Sequence, residues 1–233
     1  MSPVASAAMS GSATVAVSRR LDRCSVLGPG MRAVLWVQGC PLRCSGCLAP
    51  QTLPVTGGSV MGVADLAGWL IGLDGIEGVT LSGGEPFAQA DGLALLLDQV
   101  RAVRPDFTAM CYSGFTLSAL RRGTPGQRRL LDRLDLLVDG PYLRARHGDL
   151  RWRGSANQRI IALSARYGEE ILAPDVSQGV EFTLGLDGAL TWAGVPAEPE
   201  FRERVEDGLL GLGYELRRSA DSGGDLAEAT GLP

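Results

Sequence analysis

Residues 33–39 read A-V-L-W-V-Q-G, apolar along almost their whole length. A strand with no polar alternation has to be covered on both faces, and sheets of that kind are built from parallel strands joined by crossover helices. The chain supplies what such a sheet needs. T-V-A-V-S (14–18), G-V-T-L-S (78–82), F-T-A-M-C-Y-S (107–113) and L-D-L-L-V-D-G (134–140) read as further strands. Residues 61–73, 88–103 and 126–134, with a short T-L-S-A-L stretch, carry apolar side chains at helical intervals. From residue 33 the order is β, α, β, α, β, α, β, which predicts an α/β fold on a parallel sheet.

The 233 residues are 45% apolar, enough for one sizeable core with a modest extension. The pattern changes after about residue 160. V-E-F-T-L-G-L-D-G-A-L-T-W-A-G (180–194) predicts two strands around an Asp187-Gly188 turn, and residues 199–212 a closing helix. The expected layout is a disordered tail over 1–12, a core over 13–160, a hairpin and helix extension over 161–220, and a frayed tail over 221–233. A net charge of −4 without any basic block gives no footprint for nucleic acid. No apolar run reaches the roughly 18 residues that cross a bilayer, so no membrane partner is expected. The amino terminus makes a poor signal peptide, and five cysteines, an odd number, suit a reducing cytoplasm rather than a disulfide framework.

Three of those cysteines, Cys40, Cys44 and Cys47, lie directly after the buried strand, in G-C-P-L-R-C-S-G-C. Closely spaced thiolates on a loop bind iron-sulfur clusters or zinc. A 4Fe-4S cluster with three protein ligands keeps one iron open for a substrate or cofactor, as catalytic metal sites do. The competing readings are a zinc knuckle completed by another residue and three unremarkable thiols. The single histidine, His147, is far along the chain and reads as a surface residue; Cys24 and Cys111 read as buried small side chains, and Trp36 and the leucines of 93–97 as core.

The C-x-x-x-C-x-x-C loop, followed by a second strand ending in Gly83-Gly84-Glu85-Pro86, resembles the radical S-adenosylmethionine superfamily. L-G-P-G-M-R (27–32), V-Q-G-C-P-L-R-C-S-G-C (37–47), T-L-S-G-G-E-P-F-A-Q (80–89), Y-S-G-F-T (112–116), L-L-V-D-G-P-Y (136–142) and R-G-S-A-N-Q-R (153–159) are similar, in order, to the anaerobic ribonucleotide reductase activating proteins among the glycyl radical enzyme activases. The resemblance implies a partial open (β/α) barrel, here with the C-terminal hairpin and helix added. It implies a 4Fe-4S cluster on Cys40, Cys44 and Cys47, with S-adenosylmethionine on the open iron. Reductive cleavage would then give a 5′-deoxyadenosyl radical that takes hydrogen from a glycine of a class III ribonucleotide reductase-like partner. A reduced flavodoxin or ferredoxin would supply the electron.

Within that resemblance, Gly83, Gly84, Glu85 and Pro86 would hold the methionine amino group, the glycines allowing close backbone approach at the carboxyl edge of the sheet. Tyr112 and Ser113 end one strand and Asp139 another, where they can reach the cofactor. Arg153 and Asn157 offer groups suited to carboxylates, ribose or peptide backbone. Gly28-Pro29-Gly30, with Arg32, would shape the rim near the cluster. Leu48-Ala49 depart from the polar or aromatic residue and asparagine usual after the third cysteine, and the C-terminal segment is longer than short activases need. Two other readings stay open: a peptide or small metabolite as substrate, and a non-catalytic redox-sensing cluster module.

Overall fold

In the computed structural model, residues 13–168, 174–186, 188–217 and 226–230 are described. The chain begins with β1 (Thr14–Cys24), β2 (Arg32–Val37) and β3 (Ser59–Gly62), followed by α1 (Val63–Gly72) and β4 (Gly78–Gly83). Next come α2 (Ala90–Val103), β5 (Thr108–Ser113), α3 (Leu117–Arg121), α4 (Pro125–Leu131) and β6 (Leu136–Asp139). Then follow β7 (His147–Leu150), β8 (Arg153–Ser155), β9 (Arg159–Ala162), β10 (Val180–Leu184) and β11 (Ala189–Gly194), with α5 (Phe201–Gly211), β12 (Glu215–Arg217) and β13 (Leu226–Thr230) closing the chain. The fold is mixed α/β.

Seven strands form the main sheet in the order β3-β1-β2-β4-β5-β6-β9. The expected parallel core is present: β2, β4, β5 and β6 pair in parallel, with Val37 beside Gly83 and Ser113 beside Asp139. The expectation of a parallel sheet holds for these four strands, and the flanks make the whole sheet mixed. β1 runs antiparallel to β2 and to β3, and β9 antiparallel to β6. These flanking strands return through loops rather than crossover helices, so they arrive in the opposite direction.

Strand alternation divides the core. Ala33, Leu35, Val37, Val79, Leu81, Ala109, Cys111 and Leu137 face a layer made by α1, α2 and α4. Helix α2 contributes Leu93, Leu96, Leu97 and Val100, all fully buried, each worth about 1.5–3 kcal/mol relative to exposure. The start of α4 is fixed by a capping box between Thr124 and Gln127, with Pro125 at its first position. On the opposite face, Val34 packs with Ala193 and Val195, and Met110, Leu136 and Val138 pack with Trp152 and Tyr167. Helices therefore cover one face, and later strands and loops the other.

A second sheet has the order β10-β11-β13-β12, and β7-β8 form a two-stranded ribbon. The predicted hairpin is present, with Phe182 opposite Trp192. Asp187 of its expected turn and the expected tail over 1–12 lie outside the described residues. Leu226–Thr230, inside the stretch expected to fray, is a paired strand. Among the described residues no helix is long and apolar enough to cross a membrane.

Arg32 lies at the amino end of β2, beside Gly78, with none of its surface exposed. It donates to Thr80 Oγ1 at 3.0 Å, Thr108 Oγ1 at 2.9 Å and the Val79 carbonyl at 2.8 Å. The cysteines follow the other end of β2, so the expectation that Arg32 and Gly28-Pro29-Gly30 shape the cluster rim is corrected. That turn instead closes over the buried guanidinium: a Cβ on Gly28 would meet Arg32 Cδ at 2.8 Å.

Candidate metal centre and cofactor cleft

The carboxyl ends of β2, β4, β5 and β6 gather four loops. The cysteine loop leaves β2 and is pinned at both feet. Gly39 N donates to Thr52 O at 2.8 Å and Cys40 N to Leu53 O at 3.1 Å, while Gln38 Nε2 donates to Pro54 O at 2.7 Å. Gln89 Nε2 in turn donates to Gln38 O at 3.0 Å. Between those feet the chain bends through left-handed residues, Arg43 at φ 47° and Gly46 at φ 70°. A non-glycine residue in that region carries backbone strain of the kind found where a loop must present ligands.

Cys40 is buried and Cys44 and Cys47 are half-buried, all as free thiols. They line one small cleft together with Gly83, Gly84 and Glu85. Burial pushes the Cys47 thiol up, a cost that a bound cation reverses by deprotonating its ligand. Among the described residues no three His, Cys, Asp or Glu side chains converge tightly enough for a single metal ion. Three thiols lining one cleft, on a loop bent to present them, are the donor set of a 4Fe-4S cluster with one iron left open.

The β4 end presses directly on this loop. Gly84 N donates to Val37 O at 2.8 Å and Glu85 N to Gly39 O at 2.9 Å. A Cβ on Gly84 would lie 2.7 Å from the Gly39 carbonyl carbon, so only glycine allows the contact. Pro86 opens the 3-10 turn Pro86–Gln89 and is buried beneath it. The Glu85 side chain is 1% exposed and fully engaged. Its Oε1 accepts from Phe87 N and Ser113 Oγ, both at 3.0 Å, and its Oε2 from Gly114 N at 2.9 Å. Burial raises its pKa to about 7 against those hydrogen bonds. Glu85 thus ties β4 to β5 at the cleft floor, and Ser113 serves it.

A second, largely apolar cleft adjoins the first, and Cys47, Gly83, Tyr112, Tyr142 and Gln158 line both. Tyr112 is the expected residue best placed for a ligand. Its hydroxyl is buried without a hydrogen-bond partner, and burial pushes its pKa up. A polar atom left in that condition is expensive unless something occupies the cleft.

Three other expected residues are not brought to either cleft. Asp139 ends β6, but strand alternation turns its carboxylate to the helix face, where it accepts from Leu117 N at 2.7 Å and pairs with Arg159. Arg153 donates to Gln158 O at 2.9 Å and pairs with Asp175. Asn157 Nδ2 donates to Pro141 O at 2.7 Å. From that same segment Gly154 and Gln158 line the cleft instead. Gln158 is locked by the Gly154 and Ser155 amides and by its own bond to Gly140 O.

Trp36, expected in the core, lines the second cleft, as do Ser82 and, from the C-terminal sheet, Trp192. Its position was readable only from alternation with Leu35 and Val37, and a strand apolar on both sides hides which face is which. His147, expected at the surface, is half-buried, with Nδ1 3.0 Å from Tyr142 Oη. Cys24 and Cys111 are buried as expected.

Residues 26–161, more than half of the chain, match the 4Fe-4S single cluster domain family. An anaerobic ribonucleoside-triphosphate reductase-activating protein from Vibrio cholerae is 35% identical over an alignment of 145 residues that covers 58% of this chain and 90% of that relative. The protein of the same name from Escherichia coli is 31% identical over 142 residues, with 58% and 90% covered. A pyruvate formate-lyase-activating enzyme from Staphylococcus epidermidis is 27% identical over 180 residues, covering 70% of each chain. With three thiols around one cleft, a strand-end glycine pressed against their loop and these relatives, the chain belongs to the 4Fe-4S single cluster domain family, within the radical S-adenosylmethionine glycyl radical activase group.

Proposed function

We propose that this protein activates a glycyl radical enzyme of the anaerobic ribonucleotide reductase type, working at the carboxyl edge of a main sheet that forms a partial, open barrel. Cys40, Cys44 and Cys47 would hold a 4Fe-4S cluster that leaves one iron open for S-adenosylmethionine. Once bound, the group would supply one-electron reductive cleavage of S-adenosylmethionine to a 5′-deoxyadenosyl radical, the species that would take hydrogen from a partner glycine.

The chain's own residues bind, orient and exclude. The Gly83–Pro86 segment brings backbone to within contact of the cysteine loop, leaving room for the methionine end of the cofactor. Glu85 fixes the ends of β4 and β5 relative to each other, and Tyr112 Oη supplies a hydrogen bond to the ligand. The apolar second cleft, with its Trp36, Tyr112 and Tyr142 rings, suits the adenosyl group and keeps water from the reacting centre. A reduced flavodoxin or ferredoxin is the electron donor.

The observation that carries this reading is the meeting of three cysteines with Gly83, Gly84 and Glu85 in one cleft. The test is anaerobic: the protein is reconstituted with iron and sulfide, given dithionite and S-adenosylmethionine, and 5′-deoxyadenosine is quantified beside Cys44→Ala. Product from the parent that is lost in the variant supports the reading. A cluster-bearing protein that makes none overturns it in favour of a redox-sensing module.

A further inference from the structure

The family match ends at residue 161, but the cleft beside the cysteine loop continues past it. One side of that cleft is β11, whose Trp192, Ala193 and Gly194 line the same cavity as Cys47, Gly83 and Tyr112. Several contacts fasten the strand there. Arg19 Nη1 donates to the Trp192 carbonyl at 3.1 Å, and the same guanidinium lies 4.8 Å from the centre of the Trp36 ring. On β10, Glu181 accepts from Ser25 N at 3.0 Å, and ahead of α5 Glu200 pairs with Arg144 at 2.7 Å.

The apolar contact decides the matter, because exposed ion pairs contribute little. Ala193 and Val195 are buried in one cluster with Val26, Leu27 and Val34, and Leu48 packs against it. Leu48 directly follows Cys47, so the cysteine loop and the strand share one apolar cluster and line one cavity. Trp192 stands at the junction. It also lines the outer groove beside Cys44 and Cys47, with the Phe201 ring of α5 edge-on at 5.4 Å.

We propose that the C-terminal sheet is a working part of the site: it forms a second wall of the cleft and covers the outer flank of the cysteine loop, with Trp192 as the positioning residue that screens Cys44 and Cys47. The wall deepens the proposed function, since it guards the cluster that function needs. Screening of the thiols is nevertheless a property of the chain alone and is measurable without a cluster.

Trp192→Ala and Trp192→Phe are compared with the parent protein, their folding checked by far-UV dichroism. In the apo protein, maleimide labelling of Cys44 and Cys47, read by peptide mass mapping, is expected to rise roughly tenfold in W192A and to stay near the parent rate in W192F. In the reconstituted protein, loss of the cluster's visible absorbance in air should speed up in W192A in the same proportion. Equal labelling rates in all three folded proteins overturn the wall. If W192A does not fold, Arg19→Ala, which removes the clamp on the Trp192 carbonyl, is read by the same labelling, and an unchanged rate there overturns it equally. A parent that takes up no cluster but shows labelling dependent on Trp192 would end the activase reading and leave the wall standing.

Discussion

Asp139 and Glu85 sit at the ends of the two strands that flank β5, and each is buried, yet they serve different neighbours. Asp139 holds the start of α3 and Arg159. Replacing it with Asn should cost about 1–3 kcal/mol by urea unfolding, because one of its acceptors becomes a donor facing a donor. Affinity for S-adenosylhomocysteine, measured by calorimetry on the cluster-loaded protein, should be unchanged in that variant; a large loss would return Asp139 to the cofactor. Glu85 predicts a pH effect. Its native pKa of about 7 lies above the 4.5 of an ordinary glutamate, so between those values the folded protein keeps a proton that the unfolded chain releases. Stability of the apo protein should therefore fall as pH rises from about 4.5 toward 7 and level off above. Glu85→Gln should flatten that part of the profile while lowering stability at acid pH, since an amide cannot accept from Phe87, Ser113 and Gly114 together. A slope that survives the substitution would assign the titration to another group.

Among the elements, the cysteine loop and the β4 end form one unit, because Gly84 leaves no space between them. Gly84→Ala should push the loop away from the strand and reduce cluster uptake, measured as iron and sulfide per chain, while the melting curve of the apo sheet changes little. Normal uptake would show that the loop tolerates the displacement. The strands of the parallel core and the helices that cover them were legible, since each carries its own period in the sequence. The antiparallel flanks were not: nothing in T-V-A-V-S or R-I-I-A says which distant strand will be its partner. For the site, the cysteines and the Gly83-Gly84 segment could be read because their chemistry is local. Asp139 ends its strand as read, but a place at a strand end does not fix which way the side chain turns, and nothing in R-G-S-A-N-Q-R says that Gly154 and Gln158, rather than Arg153 and Asn157, line the cleft. Arg32 was misplaced because the rim to which it was assigned lies at the opposite end of its own strand.

At the scale of the molecule, the family match covers the cysteine loop and most of the main sheet, and the C-terminal sheet lies beyond it and lines the same cleft. Stripping the cluster with a chelator should lower the melting temperature by linkage, as removal of any ligand that binds only the folded state does. The far-UV dichroism should remain, and its collapse would mean that the cluster nucleates the fold. The reason lies in the distance between Arg32 and the cysteines. The guanidinium locks β2, β4 and β5 together at one end, using neutral hydroxyl and carbonyl partners that no change of redox state touches. Oxygen that destroyed the inorganic core at the other end would then leave a folded receptacle, its loop still tethered at both feet. Such a protein would be repairable: iron and sulfide would recharge it after oxidative damage, where one folded around its cluster would have to be made anew.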